Sequence, residues 1–231
     1  MRSRQVPFMP NHPIFAPTFH GNVERVKELL DEDSNLVSIR DAKNLTPLHV
    51  AASRGQDEVI QLLLDYGADI APTDDGEWAP IVFAAYRGHF DAVRVLIKNG
   101  AGVKEADGQP IHYAGQRKHK EICHLLVAHG AIDDLIESDD KDVLALFRAA
   151  YSYDSDAVKE ILERRPEIVD ECDRYGRTAM HEACTNGATK TVRALLKHGA
   201  DPKIADKNGQ TPADRASSHR QHAVTKLLEK T

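Results

Sequence analysis

Apolar positions along the 231-residue chain fall into short paired blocks at helical spacing, not into long runs or strict alternation. The block from Asn44 to Ile70 is the most regular. Thr46-Pro47 reads as a helix start, with a hydroxyl to accept orphan amides and a proline where its missing N–H costs nothing. Leu48, Ala51 and Ala52 then share one face, and Gly55 is placed to end the helix in a left-handed conformation. A second helix is predicted from Val59, Ile60, Leu62, Leu63 and Leu64, closed by Tyr66-Gly67-Ala68-Asp69. Two short helices of this kind cannot bury both faces alone, so the block requires neighbours before and behind it.

Those neighbours are legible as copies. Ile14 to Ile39 holds a clear second helix in Val23, Val26, Leu29 and Leu30, after a first helix, I-F-A-P-T-F-H-G, with Pro17 in its first turn. The copy from Asp74 to Val103 has Ala79-Pro80 for Thr-Pro and Val82 where the first block has His49. The next copy is shortened: Pro80 and Pro110 are 30 residues apart, against 33 between Pro47 and Pro80, and Asp107-Gly108-Gln109 opens its helix at Pro110. A fifth copy carries Ala149-Ala150, Val158, Ile161 and Leu162 but no Thr-Pro, and Tyr153 stands where a glycine is expected. D-R-Y-G-R-T-A-M-H-E-A-C-T-N-G restores the pattern, and K-N-G-Q-T-P-A-D-R-A begins a last copy in which Asp214 replaces the histidine. The chain stops as that last helix finishes, so little is expected beyond it.

On these residues the unit resembles an ankyrin repeat, a helix–turn–helix of about 33 residues with a finger between copies. The resemblance implies an all-α solenoid of stacked helix pairs with β-hairpin or finger loops. It divides the chain into an irregular tail, 1–13, in which Phe8 and Met9 could pack on the first repeat, and a single repeat domain. The units run 14–40, 41–73, 74–105, 106–134, 135–172, 173–205 and 206–231, the terminal ones and the fifth being degenerate. It also implies that His49, His112 and His181 are structural, bonding within and between repeats, not ligands or bases.

Composition narrows the function classes. Lys and Arg number 30 against 36 Asp and Glu, a net charge of −6, and no basic stripe stands out for nucleic acid. No apolar run reaches membrane-spanning length, and prolines interrupt the first 19 residues, so neither a membrane segment nor a signal peptide is read. Cys123 and Cys184 fall at core positions and Cys172 in a linker. An unpaired set of three fits a reducing, intracellular (cytoplasmic) location. Asp133 to Asp142, D-D-L-I-E-S-D-D-K-D, concentrates six acids and one lysine, a solvated loop, a hinge or a site for a basic partner segment.

Catalytic signatures are missing: there is no G-x-S-x-G, no glycine-rich phosphate loop and no H-E-x-x-H. His119 and Cys123 are one turn apart, but Cys123 belongs to an apolar face, and neither this pair nor His219 and His222 reads as a metal site. No catalytic group, metal or cofactor is therefore expected. The resemblance implies instead that a partner protein or peptide binds the concave surface formed by finger tips and the exposed ends of first helices. On this chain those positions include Lys43, Leu45, Arg54, Asp75, Trp78, Tyr86, Arg87, Gln116, Arg117, Tyr151, Tyr175, Arg177 and Asn186. Tyr, Trp and Arg, which recur among them, are the types that dominate binding hot spots. Packing of Trp78, the single tryptophan, against a neighbouring finger is the competing arrangement. The expected role is a non-enzymatic protein-binding module, monomeric by itself, with a dedicated enzyme inhibitor as the alternative.

Overall fold

The computed structural model describes residues 12–104 and 110–229. The expected contacts of Phe8 and Met9, and the Asp107-Gly108-Gln109 finger, lie outside the described residues. Seven helix pairs occur among the described residues, in two compact units, Met1–Tyr113 and Ala114–Thr231. The first unit contains α1 (Phe15–His20), α2 (Val23–Glu32), α3 (Pro47–Arg54), α4 (Asp57–Asp65), α5 (Pro80–Arg87) and α6 (Phe90–Lys98). α7 (Pro110–Gln116) begins in the first unit and ends in the second. The second unit continues with α8 (Lys120–Ala128), α9 (Lys141–Tyr151), α10 (Ser155–Arg164), α11 (Ala179–Thr185), α12 (Thr189–Lys197), α13 (Pro212–Ser218) and α14 (His222–Leu228). Short 3₁₀ turns at Ser34–Ser38 and Pro166–Ile168 follow α2 and α10.

Packing in each unit follows the repeat. First helices lie against first helices, α1 on α3 on α5 and α9 on α11 on α13; second helices do the same, α2 on α4 on α6 and α10 on α12 on α14. The small residues of the first helices permit this approach: Ala51, Ala52, Ala84, Ala85, Ala150 and Ala183 are all buried. Leu30, Ile60, Leu63 and Leu96 fill the core of the first unit, and Leu126, Phe147, Leu162 and Leu195 that of the second.

Each described turn between paired helices passes through one left-handed residue. Gly21, Gly55, Gly88 and Gly187 fill it where glycine is present; Lys118, Tyr153 and Arg220 hold the same conformation at φ 62°, 62° and 56°. A side chain there costs roughly 1–2 kcal/mol. Tyr153 offsets that cost by donating its hydroxyl to the Gly115 and Asn186 carbonyls.

His49 and His181 repeat one bonding pattern. The Thr46 and Thr178 backbone N–H groups donate to Nδ1 at 3.0 Å in both copies. Nε2 therefore carries the proton and donates across to the next finger, to the Trp78 carbonyl at 3.0 Å and the Gln210 carbonyl at 3.1 Å. Burial lowers the His49 pKa to about 4 and lowers that of His181 as well, so both rings are neutral links between repeats. In the last copy Asp214 performs the local half of this task, accepting from Thr211 N–H at 2.9 Å. Among the described residues no strand forms, and the fingers are turns with one isolated bridge, Cys172 to Thr178.

Candidate functional site

Four fingers are built alike, each on an aspartate that closes a five-residue turn. The N–H groups of Asp41, Asp74, Asp173 and Asp206 donate to the carbonyls four residues on, Leu45, Trp78, Arg177 and Gln210, at 2.8–3.2 Å. The aspartate carboxylates accept in return from the amides of Lys43 and Leu45, Gly76 and Trp78, Tyr175 and Arg177, and Asn208 and Gln210. The fourth position is left-handed in every case, as Asn44, Glu77, Gly176 and Gly209. Neighbouring fingers are tied by single backbone bonds, Asp75 N–H to Lys43 O, Arg174 N–H to Leu135 O and Lys207 N–H to Tyr175 O. The turn is thus held chiefly by backbone and aspartate, with His49 and His181 bonding the Trp78 and Gln210 carbonyls from the preceding repeat.

In the first unit Lys43, Arg54, Asp75 and Arg87 are exposed. The Arg54 guanidinium lies 4.2 Å from the Phe19 ring centroid, and Asn44 donates to the Asp75 carboxylate. Leu45 and Trp78 are not on the surface; they are 2% and 8% exposed. Trp78 packs tilted on Tyr113 at 4.4 Å and edge-on to Phe83 and Tyr86 at 5.2 and 5.5 Å. Trp78 is therefore buried, but against rings of α5 and α7 and not against a neighbouring finger. Tyr86 is half-buried in the same cluster, 6.3 Å from Tyr113.

In the second unit Arg117 is exposed and Gln116 half-buried at the end of α7. Tyr151 and Asn186 are only 3% and 2% exposed, which removes both from a contact surface. Asn186 packs so closely on α7 that a Cβ at Gly115 would stand 2.4 Å from its side-chain oxygen. Arg177 is half-buried and committed internally: Nη2 is 2.6 Å from Asp173 and Nη1 is 2.8 Å from Glu182, a charge contact rather than an aligned hydrogen bond. Burial alone would lower the Arg177 pKa, but Glu182, Tyr151 and Asp173 hold it above the usual guanidinium range. Burial, then Glu182, pushes the Tyr151 phenol well above its ordinary value. Among the described residues Tyr175 is the one finger aromatic that faces solvent, at 39% exposure.

Comparison with known proteins agrees with this geometry. Residues 48–97 match the family described as "Ankyrin repeats (many copies)" and residues 146–231 the one described as "Ankyrin repeats (3 copies)". The chain belongs to the ankyrin-repeat family. Among curated proteins it is 30% identical over 171 residues to ankyrin repeat protein nuc-2 of Neurospora crassa, covering 72% of this chain and 16% of that protein. It is 28% identical over 228 residues to the putative palmitoyltransferase ZDHHC13 of Danio rerio, covering 94% of this chain and 35% of that one. The chain thus spans about a third or less of these relatives. Two solved ankyrin-repeat domains share the fold: that of human ASB11 has a TM-score of 0.63 at 24% identity, covering 93% of this chain and 97% of that one. That of Bcl-3 has a TM-score of 0.60 at 22% identity, covering 95% and 99%.

Within this ankyrin-repeat frame, one further column of residues varies as the finger tips do and was missed from sequence. The position after the one that holds His49, His112 and His181 is Val50, Phe83, Tyr113, Arg148, Glu182 and Arg215 in successive copies. Phe83 and Tyr113 make the aromatic cluster; Arg215 bonds Thr185 at 2.9 Å and pairs with Asp206 at 3.3 Å. The signal was present, since this position fails to repeat while the next one is alanine in all six copies, Ala51, Ala84, Ala114, Ala149, Ala183 and Ala216.

The acidic stretch is partly neutralised within the fold. Arg148 clasps Asp133 with two bonds of 2.8 Å, and Arg164 and Arg165 hold Asp142 and Asp140. Asp140 consequently titrates below the usual range, through the Asp142 amide first and Arg165 second. Cys123 and Cys184 are buried, and burial pushes both thiols up to about 12. Among the described residues no group of three His, Cys, Asp or Glu is placed to hold a metal ion, and no helix is long and apolar enough to cross a membrane. Ankyrin repeats generally serve as protein–protein interaction modules.

Proposed function

We propose that this chain is a non-enzymatic binding module that engages a partner protein through its finger tips and first-helix ends. The observation that carries the reading is the contrast within the fingers. One aspartate frame recurs, while its tips read Ala42-Lys43-Asn44, Asp75-Gly76-Glu77, Arg174-Tyr175-Gly176 and Lys207-Asn208-Gly209. Side chains that the turn does not need are free to differ, which is how a repeat scaffold acquires specificity. The positions so defined are Lys43, Arg54, Asp75 and Arg87 in the first unit, with Tyr86 half-buried beside them, and Arg117 and Tyr175 in the second, with Gln116 and Arg177 half-buried. A frame already fixed by backbone bonds loses little ordering entropy on binding. Three unpaired cysteines support an intracellular, reducing setting.

Affinity capture with the intact chain, read by mass spectrometry, tests the proposal. Wild type should retain a stoichiometric partner that Arg54→Ala/Arg87→Ala loses with little change in melting temperature. Loss of the partner's activity in the complex would favour the inhibitor reading. Turnover of a small substrate by the isolated chain would sink every binding reading.

A further inference from the structure

The sixth finger differs from the others described. Tyr175 lies between two guanidinium groups, Arg174 at 4.9 Å and Arg177 at 4.8 Å from its ring centroid. The two arginines are not equivalent. Arg177 is neutralised by Asp173 and Glu182 and fixes the ring in place. Arg174 spends its hydrogen bonds on neutral acceptors, the Tyr175 hydroxyl at 2.8 Å and the Asp134 carbonyl at 3.3 Å. Lys207, on the next finger, likewise bonds a carbonyl, that of Arg174, at 2.7 Å. Asp134 and Glu137 act on Arg174 only from a distance. An oriented ring is therefore flanked by Arg174, with Lys207 bonded to the Arg174 carbonyl beside it, and among the described residues neither of these two cations is paired with a carboxylate. Tyr175 and Phe90 are the large apolar side chains left most exposed among the described residues.

We propose that the sixth finger is the docking point for an acidic peptide segment, which places an apolar side chain on Tyr175 and carboxylates on Arg174 and Lys207. This deepens the binding reading above and rests on it. The occupant follows from charge complementarity: two cations held on neutral acceptors gain most from carboxylates, and the immobilised ring offers area without further ordering. A basic segment would meet like charge at this finger.

The test uses the full chain immobilised and panned with phage displaying random dodecapeptides, in parallel with Arg174→Gln/Lys207→Gln and Tyr175→Ser. Binding of the selected peptides is then measured by fluorescence anisotropy. The expected peptides combine several Asp or Glu with an aromatic or large aliphatic residue. They should weaken at least about tenfold on either variant, as hot-spot loss does, and weaken further with added salt. Circular dichroism checks that each variant folds, and Lys207→Glu, an exposed single change, serves if one does not. Neutral or basic peptides, or peptides indifferent to the variants, would overturn this assignment while leaving protein binding elsewhere intact. Preferential binding of a single-stranded oligonucleotide to the same finger would overturn it too. No enriched peptide beside a stoichiometric captured partner would overturn the acidic-segment assignment alone; neither peptide nor partner would overturn both readings.

Discussion

Acid should weaken the first unit through one histidine, and the effect can be sized. His49 is fully buried, accepts the Thr46 N–H at Nδ1 and donates from Nε2 to Trp78. Protonating Nδ1 would set two N–H groups against each other in a fully buried site. Its folded pKa is about 4 against an ordinary 6.5, depressed by burial. Because the folded value lies below the unfolded one, the contribution is complete above pH ~6.5 and is lost as pH falls through ~4. The whole span corresponds to about 3 kcal/mol, of which about 2 kcal/mol is lost by pH ~5. Urea unfolding followed by the single tryptophan reads the relevant repeat directly, since Trp78 receives the bond. His49→Gln should be less stable than wild type at neutral pH, and the gap should narrow by about 2 kcal/mol at pH ~5. Carboxylates and His181 titrate in both proteins and cancel. A gap that stays constant with pH would refute the neutral-bridge argument.

Other substitutions separate frame from surface. Trp78→Ala should cost about 3–5 kcal/mol, as a buried aromatic truncation does, measured by urea unfolding followed by circular dichroism. A loss under ~1 kcal/mol would return Trp78 to the surface. Arg177→Leu leaves the buried carboxylates of Asp173 and Glu182 uncompensated and should cost about 3–5 kcal/mol in the same assay. Lys118→Gly, at an exposed left-handed position, should instead raise stability by about 0.5–1 kcal/mol; a loss would mean that the lysine stem packs.

How much of this was legible depended on range along the chain. The helix pairs announced themselves locally through Thr46-Pro47, Gly55 and the spacing of Val59, Ile60 and Leu63. Tyr153 was marked by the glycine expected in its place, but Lys118 and Arg220 did not announce their backbone conformation, because the stack imposes it on residues that do not favour it. Trp78 was misplaced for a related reason: its neighbours Phe83 and Tyr113 come from helices of two different copies. Tyr151 looks like an exposed helix-end residue until Glu182 and Arg177 of the next copy meet it, and Asn186 until its side chain meets Gly115 of α7. The acidic stretch reads as bare charge because its arginines, at 148, 164 and 165, follow 15 to 25 residues later. Residues such as Arg54, Arg87 and Tyr175 were legible as surface because their places in the repeat, at helix ends and finger tips, lie outside the apolar faces that stack.

Hydrogen exchange of the full chain with and without its captured partner tests the central claim most directly. Protection should appear in the fingers at residues 41–45, 74–78, 173–177 and 206–210 and at the ends of the first helices, and should leave α4, α6 and α12 unchanged. Protection concentrated on those second helices, with the fingers unaffected, would contradict it.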